Sequence, residues 1–230
     1  MQQGLLVLPI VLPVIFWAAY HYYKDRHLPE PLGHLAMAFF FGVLAAGVSQ
    51  SLYIGLEPFG LRYDAGYLAD TNTLGLLAYS LLAIGPIEEL SKLLFFVLIV
   101  VRFEEFDEPL DGIIYASFIG LGYAAIENWQ YLEYLTPLEA MARGFASPVV
   151  HIVFASVWGY SVGRAYQNGT SLLRATLIGF VVAALLHGLY DFIVLLQPYS
   201  ALPCAALVIV MIWIWRLYAI RKLRRASIKD

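Results

Sequence analysis

Runs of about 20 apolar residues recur along this chain, the length needed to cross a ~30 Å hydrocarbon core. Seven can be drawn, at approximately 4–23, 34–56, 73–101, 111–131, 145–166, 174–197 and 201–217. Water-soluble domains do not tolerate such a pattern. They carry roughly 25% charged residues, whereas these 230 residues are 61% hydrophobic and 13% charged. A transmembrane β-barrel would show alternating segments of about 10 residues, and none is found. The expected fold is all-α: a polytopic membrane helix bundle of about seven transmembrane helices with a polar site in its core. Residues 1–230 are expected to form a single integral-membrane domain. The fourth run is the weakest spanner, being rich in glycine and carrying Glu127 and Asn128.

The stretches between the runs hold the proline and the charge: "KDRHLPEPLG", "EPFGLRYDAGYLADTN", "RFEEFDEPLD", "EYLTPLEAMARG" and "RAYQNGTSLLR". The first run lacks a basic leading region and a small-residue cleavage site, so it is read as a retained helix. The single cysteine, Cys204, excludes an intrachain disulfide framework. Lysine and arginine set the expected orientation. The tail "RLYAIRKLRRASIKD" is basic and should be cytoplasmic. Counting back through seven spans puts Lys24, Arg26, Arg102, Arg164 and Arg174 on that same side, and only Arg62 and Arg143 on the other. The N-terminus is therefore expected outside, with membrane lipid as a partner and no nucleic acid.

Inside the runs lies a short set of ionisable residues: Glu88, Glu89 and Lys92 in the third, Glu127 in the fourth, His151 in the fifth, His187 and Asp191 in the sixth. Each costs about 2.5–3.5 kcal/mol at mid-helix on insertion scales, and such groups face the bundle interior and mark function. Spacing suggests partners. Glu88 and Lys92, Glu127 and Tyr131, and His187 and Asp191 are each four apart and share a helix face. Asp191 can then hold one ring nitrogen of His187 and fix its tautomer. Glu89 lies about 100° around the helix from Glu88. Two carboxylates sharing one cavity away from water are expected to split into an acid and a base. Taken singly, Glu88–Lys92 reads equally as a structural ion pair, His151 as a core histidine and Glu127–Tyr131 as a helix-end hydrogen bond. Taken jointly, they are the residue types that activate water or hold a divalent metal. Their depths differ on straight helices. The Gly85-Pro86 pair is the expected place for a bend that brings them level.

The motifs occur in an order that resembles a known family. "EELSK" fits EExxK, "IENWQY" fits ExxxY, His151 follows, and "HGLYD" fits HxxxD. The chain resembles the PrsW family of intramembrane proteases, within a wider superfamily that includes type II CAAX prenyl endopeptidases and bacteriocin-processing membrane proteins. "DRHLPEPLGHL", "EPLDGIIYASFIGLGYAAIEN" and "SPVVHIVFASVWGYSVG" extend the likeness over essentially the whole chain. Ile126 stands where the family often has an aromatic residue. The resemblance implies hydrolysis of a peptide bond in a single-span membrane protein such as an anti-sigma factor. It implies a site-1-type extracytoplasmic cut in a stress-response cascade, in the bacterial cytoplasmic membrane.

Two mechanisms are open on these residues. In the preferred one no metal is required: Glu88 is the general base, Glu89 aids proton transfer, His151 and His187 stabilise the oxyanion, and Asp191 orients His187. Lys92 then balances the carboxylates, while Glu127 and Tyr131 shape the cavity. In the alternative, zinc is held by Glu88, His151 and His187. No HExxH motif is present to decide for metal. No serine or cysteine is placed beside the histidines, which disfavours a covalent nucleophile. A proton-coupled transporter or channel would use similar residues, but the sequence shows no two related halves.

Overall fold

The computed structural model describes residues 2–24, 28–196 and 202–227, so Arg26 and the last three residues of the basic tail lie outside the described residues. It is helical throughout, with no strand among the described residues. Helices α1 (Gln2–Lys24) and α2 (Leu32–Gly55) are followed by a short turn at Glu57–Phe59 and the small helix α3 (Ala65–Thr71). The third run forms α4 (Thr73–Tyr79), a π-turn (Ser80–Ile84) and α5 (Gly85–Leu98) as one continuous rod. Then come α6 (Pro109–Tyr131), α7 (Pro137–Gln167), α8 (Leu172–Leu195) and α9 (Leu202–Ser227). Seven long helical segments thus stand where seven runs were drawn. Five of them, α2 and α6 to α9, are long and apolar enough to cross a membrane by length and composition alone. The rod from α4 to α5 carries Glu88, Glu89 and Lys92.

The weakest spanner is the centre of the bundle. Every residue from Leu110 to Ala124 is buried. Helix α6 packs chiefly against α7 and α2. Its low apolarity follows from this position: it meets protein on all sides, so glycine and serine allow close helix approach where a lipid-facing helix would need bulk. Ile113, Ile114, Ile119, Phe96, Phe106 and Trp158 fill the main core around it.

Two boundaries differ widely from the runs: α9 continues to Ser227, ten residues past the drawn end at 217, and α7 starts early. The fifth run was drawn from residue 145, but α7 begins at Pro137. Thr136 caps it: the Glu139 carboxylate accepts from Thr136 N–H at 2.8 Å, and Glu139 N–H donates to Thr136 Oγ1 at 3.4 Å. This T-P-L-E stretch is a capping box with proline at the first helical position. His151 therefore lies 14 residues into α7 rather than near its outer end, roughly 21 Å along the axis at 1.5 Å per residue. The extension places His151 level with Glu88, 15 residues past Thr73, while His187 lies eight residues from the end of α8.

The irregularity in the third run lies one turn before the Gly85-Pro86 pair. Proline at 86 cannot donate to the carbonyl four residues back, and its ring crowds that carbonyl. The helix relieves this by widening over Ser80–Ile84. Glycines let α8 seat against the widened turn. A Cβ on Gly85 would lie 2.2 Å from Ala184 O, and one on Gly188 would lie 2.3 Å from Ser80 O. His187, beside Gly188, is thereby pressed against the helix that carries Glu88 and Glu89.

Candidate active site

Four helices bring the polar set together: α5 with Glu88, Glu89 and Lys92, α6 with Glu127, α7 with His151, and α8 with His187 and Asp191. The two adjacent glutamates play opposite parts. Glu89 is fully buried and fully used. Its Oε1 accepts from Lys92 Nζ at 2.5 Å and from His187 Nδ1 at 2.7 Å, and its Oε2 accepts from the Trp158 indole at 2.8 Å. Glu88 Oε2 is also buried but has no hydrogen-bond partner. It lies 3.9 Å from His151 Nδ1 and 3.7 Å from His187 Nε2.

Each histidine is held from behind. His187 gives Nδ1–H to Glu89, which leaves the Nε2 lone pair facing Glu88. His151 gives Nε2–H to Glu127 at 2.7 Å, which leaves Nδ1 facing Glu88. The carboxylate behind each ring thus fixes its tautomer. Phe154 stacks on His187 with ring centroids 4.6 Å apart, and the two histidine rings meet edge to face at 5.3 Å.

These contacts replace two of the three pairings expected from helix spacing and keep the third, His187–Asp191, only as a longer ion-pair contact. Lys92 pairs with Glu89, three residues back, and not with Glu88. His187 is oriented by Glu89, while Asp191 Oδ2 lies 3.7 Å from Nε2 without a hydrogen bond. Glu127 turns to His151 and to Arg143, whose guanidinium is 3.2 Å away, and Tyr131 lies under Arg143 with 3.8 Å between guanidinium and ring centre. The physical reason is the same wherever a closer partner wins. Spacing of four gives the nearest partner on an isolated helix surface, but inside a bundle a neighbouring helix offers a closer one. Two participants were missed. Trp158 was signalled by an indole N–H in an apolar helix, which needs an acceptor when buried. Arg143 was signalled as one of the two cations expected on the outer side.

Glu88, His151 and His187 each offer one ligand atom, and all three atoms lie within 4.8 Å of one another. The donor set fits a divalent metal: two imidazoles and one carboxylate, each imidazole backed by a second carboxylate, and an unspent oxygen on Glu88. One contact runs against it. Lys92 Nζ lies 3.2 Å from His151 Nδ1, so the ammonium occupies the lone pair that a cation would take. Its bond to Glu89 and its place 4.6 Å over the Tyr123 ring give it other partners.

A family model described as "PrsW family intramembrane metalloprotease" matches residues 30–217. The chain belongs to the PrsW family. Relatives agree over nearly full length. Protease PrsW of Oceanobacillus iheyensis is 28% identical, over 95% of this chain and 95% of its own. Protease PrsW of Bacillus subtilis strain 168 is 28% identical, over 94% and 93%. Protease PrsW of Clostridioides difficile strain 630 is 28% identical, over 90% and 87%. No solved structure matches the chain. As a member of the PrsW family the chain is an intramembrane protease, a peptide hydrolase, and an integral membrane protein. The matched region includes every PrsW motif residue from Glu88 to Asp191.

Proposed function

We propose that this protein cuts a single-span membrane protein, anti-sigma factor-like, near its extracytoplasmic side, and that Glu88, His151 and His187 hold a zinc-type metal for the reaction. One observation carries the metal reading. Both histidines spend one ring nitrogen on a carboxylate at 2.7 Å and turn the other toward the same unpartnered Glu88 oxygen. Two imidazoles and a carboxylate, with a position left open, are the protein ligands of hydrolytic zinc. When bound, such a metal makes water nucleophilic near neutral pH and polarises the carbonyl under attack.

The chain's own residues supply the rest. Glu89 and Glu127 keep the two rings in the required tautomers. Asp191, whose Oδ2 has no hydrogen bond, is the free carboxylate left to take a proton from water and return it to the departing amine. Lys92 is the countercharge of Glu89 at 2.5 Å. This reading replaces Glu88 as general base with Glu88 as ligand. The 3.2 Å contact between Lys92 and His151 favours a second reading, in which no metal enters and Glu88 itself activates a bare water.

Metal analysis of purified protein separates the two. Stoichiometric zinc, with cleavage of a single-span reporter lost on chelation and regained on re-addition, is the expected result. Full activity in a metal-free preparation would establish the Glu88-base reading. The orientation rests on lysine and arginine bias, with the N-terminus outside and the C-terminus in the cytoplasm of a bacterial cell. Placement as the first cut in a stress cascade rests on the family resemblance. It is tested by comparing single-span membrane proteins in cells with wild-type and Glu88→Gln enzyme.

A further inference from the structure

Helix α2 buries one stripe, Leu35, Ala38, Gly42, Ala45, Ala46 and Ser49, chiefly against α6 and α5. Tyr53 is the next position of that stripe, one turn past Ser49, and is half-buried two residues before the helix ends. Neighbouring contacts fix what it faces. Phe41 of α2 stacks on Phe95 of α5 with ring centroids 5.7 Å apart. Further along α2, Ser49 Oγ accepts the Tyr123 hydroxyl at 2.8 Å, and Lys92 Nζ of α5 sits 4.6 Å over the Tyr123 ring. As α2 advances, its partners on α5 recede, so the two helices run antiparallel. One turn further along α2 stands Tyr53, and one turn back along α5 stands Glu88. The two side chains therefore share a level, next to the layer of Ser49, Tyr123 and Lys92. The electrostatic partners of the Tyr53 hydroxyl agree with this placement. They are Glu88 first, then Asp191, Tyr79 and Glu127, contributed by α5, α8, α4 and α6.

The reaction needs a hydrogen-bond donor at this level. As the oxygen of water bonds to the scissile carbon, an electron pair moves from the C=O double bond onto the carbonyl oxygen. Donors already aimed at that oxygen are usually the largest single source of catalysis. Other donors around Glu88 are spent elsewhere. Lys92 and the Trp158 indole serve Glu89, Arg143 serves Glu127, and the Tyr123 hydroxyl serves Ser49. Both histidines give their N–H to the carboxylates behind them. Tyr131 presents its ring to Arg143, and its strongest charge partner is Glu127, whereas that of Tyr53 is Glu88. The Tyr53 hydroxyl makes no hydrogen bond among the described residues.

We propose that Tyr53 is a further catalytic residue, whose hydroxyl donates a hydrogen bond to the carbonyl oxygen of the scissile peptide bond as that oxygen gains charge. The phenol keeps its proton throughout. The proton lost by the attacking water passes through a carboxylate to the departing nitrogen, the electron pair returns to re-form C=O, and the C–N bond breaks. The proposal rests on the protease reading given above and applies whether Glu88 holds a metal or a bare water.

Full-length protein in liposomes with a single-span reporter tests this. Tyr53→Phe removes one oxygen atom. It should lower kcat about 10²-fold, the low end for loss of one oxyanion donor, and leave KM nearly unchanged. A phosphinic pseudopeptide of the reporter sequence carries a tetrahedral, charged P–O group where the reacting oxygen would be. Its inhibition constant should weaken by the same factor of about 10², because an interaction confined to the transition state is lost from its analogue too. The thermal unfolding midpoint should not move, since the hydroxyl supports no bond of the fold. Tyr67→Phe, on the exposed face of α3, should leave every one of these readouts alone. An unchanged kcat in Tyr53→Phe, a loss confined to KM, or a kcat loss without weaker binding of the phosphinic peptide overturns the proposal. A fall in the unfolding midpoint of Tyr53→Phe that matches the fall in activity overturns it as well, by making Tyr53 structural. Any of these results alongside cleavage by the wild type sinks the Tyr53 assignment alone. A wild type that cuts no single-span reporter sinks the protease reading and the assignment with it.

Discussion

Two groups of buried carboxylates sit in this bundle, and they are built on opposite plans. At the starts of α2 and α6, Glu30 and Asp111 are both buried. Glu30 accepts the Tyr115 hydroxyl, and Asp111 Oδ2 accepts Glu108 N–H at 2.6 Å and Asp107 N–H at 3.0 Å. These bonds start α6 and pin the loop before α2 to it. In the other group Glu89 and Glu127 are spent in the same way, on rings and cations, but Glu88 Oε2 and Asp191 Oδ2 make no hydrogen bond and only face imidazole nitrogens at 3.7–3.9 Å. Burial of ionisable residues therefore does not separate an active site from a structural knot. Unspent acceptor atoms from different helices, converging beside oriented histidines, do.

The largest effect tests that contrast directly. Glu88→Gln should lower reporter cleavage by about 10³-fold or more, the scale of losing a central catalytic group. Its thermal unfolding midpoint should stay the same or rise, because the Glu88 oxygen supports no bond of the fold. A fall in stability matching the fall in activity would mean that Glu88 is structural like Asp111, and the contrast would collapse.

Glu89→Gln should behave differently although it is the next residue. It removes the countercharge of a fully buried Lys92, and stranding one partner of a buried pair costs about 3–5 kcal/mol. Activity and stability should fall together. Glu89→Gln with Lys92→Met should recover much of the stability but not the cleavage, since His187 still lacks its anionic holder. Chemical denaturation in detergent with a parallel cleavage assay separates these outcomes. A single variant as stable as wild type would show that Lys92 does not need Glu89.

The sequence revealed which residues meet but not how they meet. Apolar runs and the cost of buried charge were enough to draw seven helices and to gather Glu88, Glu89, Glu127, His151, His187 and Asp191 into one set. Spacing of four put Lys92 on Glu88 and Glu127 on Tyr131, whereas the closest partners are Glu89 one position along the same helix and His151 and Arg143 on another. Glu89, not Asp191, holds His187, and no spacing rule connects residues 98 apart. The start of α7 is legible in the sequence: "TPLE" is a capping box with proline at the first helical position, outside the apolar run that begins at 145. The π-turn was half legible. Pro86 announced an irregularity, and only the packing of Gly188 on Ser80 fixes where it falls.

Arg143 tests the outermost layer of the spent group. It reaches the site only through Glu127, which holds His151. Loss of an outer-shell partner typically costs about 10–100-fold in metal affinity or activity, and one bond further out the lower end applies. Arg143→Gln should lower kcat/KM about tenfold, and Arg143→Lys, which keeps the charge but not the planar fork, should lose less. Wild-type kcat/KM in Arg143→Gln would limit Arg143 to its stacking on Tyr131.

The smallest effect comes from the structural knot and concerns pH. Burial pushes the Glu30 carboxyl above its ordinary value of 4.5, the Tyr115 and Asp111 hydrogen bonds pull it partly back, and the charges of Asp107 and Glu105 push it up again. A carboxyl with a raised value in the folded state binds its proton more tightly there than in the unfolded chain. Its contribution to stability is therefore complete below 4.5 and is lost as pH climbs through the raised value. Wild type should gain thermal stability as pH is lowered from neutral toward that range. Glu30→Gln is neutral at every pH and keeps an oxygen for the Tyr115 hydroxyl, so the difference between the two proteins isolates Glu30. That difference should favour the glutamine variant by a few degrees at neutral pH and vanish on acidification, with kcat untouched. A glutamine variant less stable at every pH would mean that Tyr115 grips an ionised Glu30. The knot would then depend on charge, as the Lys92–Glu89 pair does, and neutralisation would no longer distinguish the two groups.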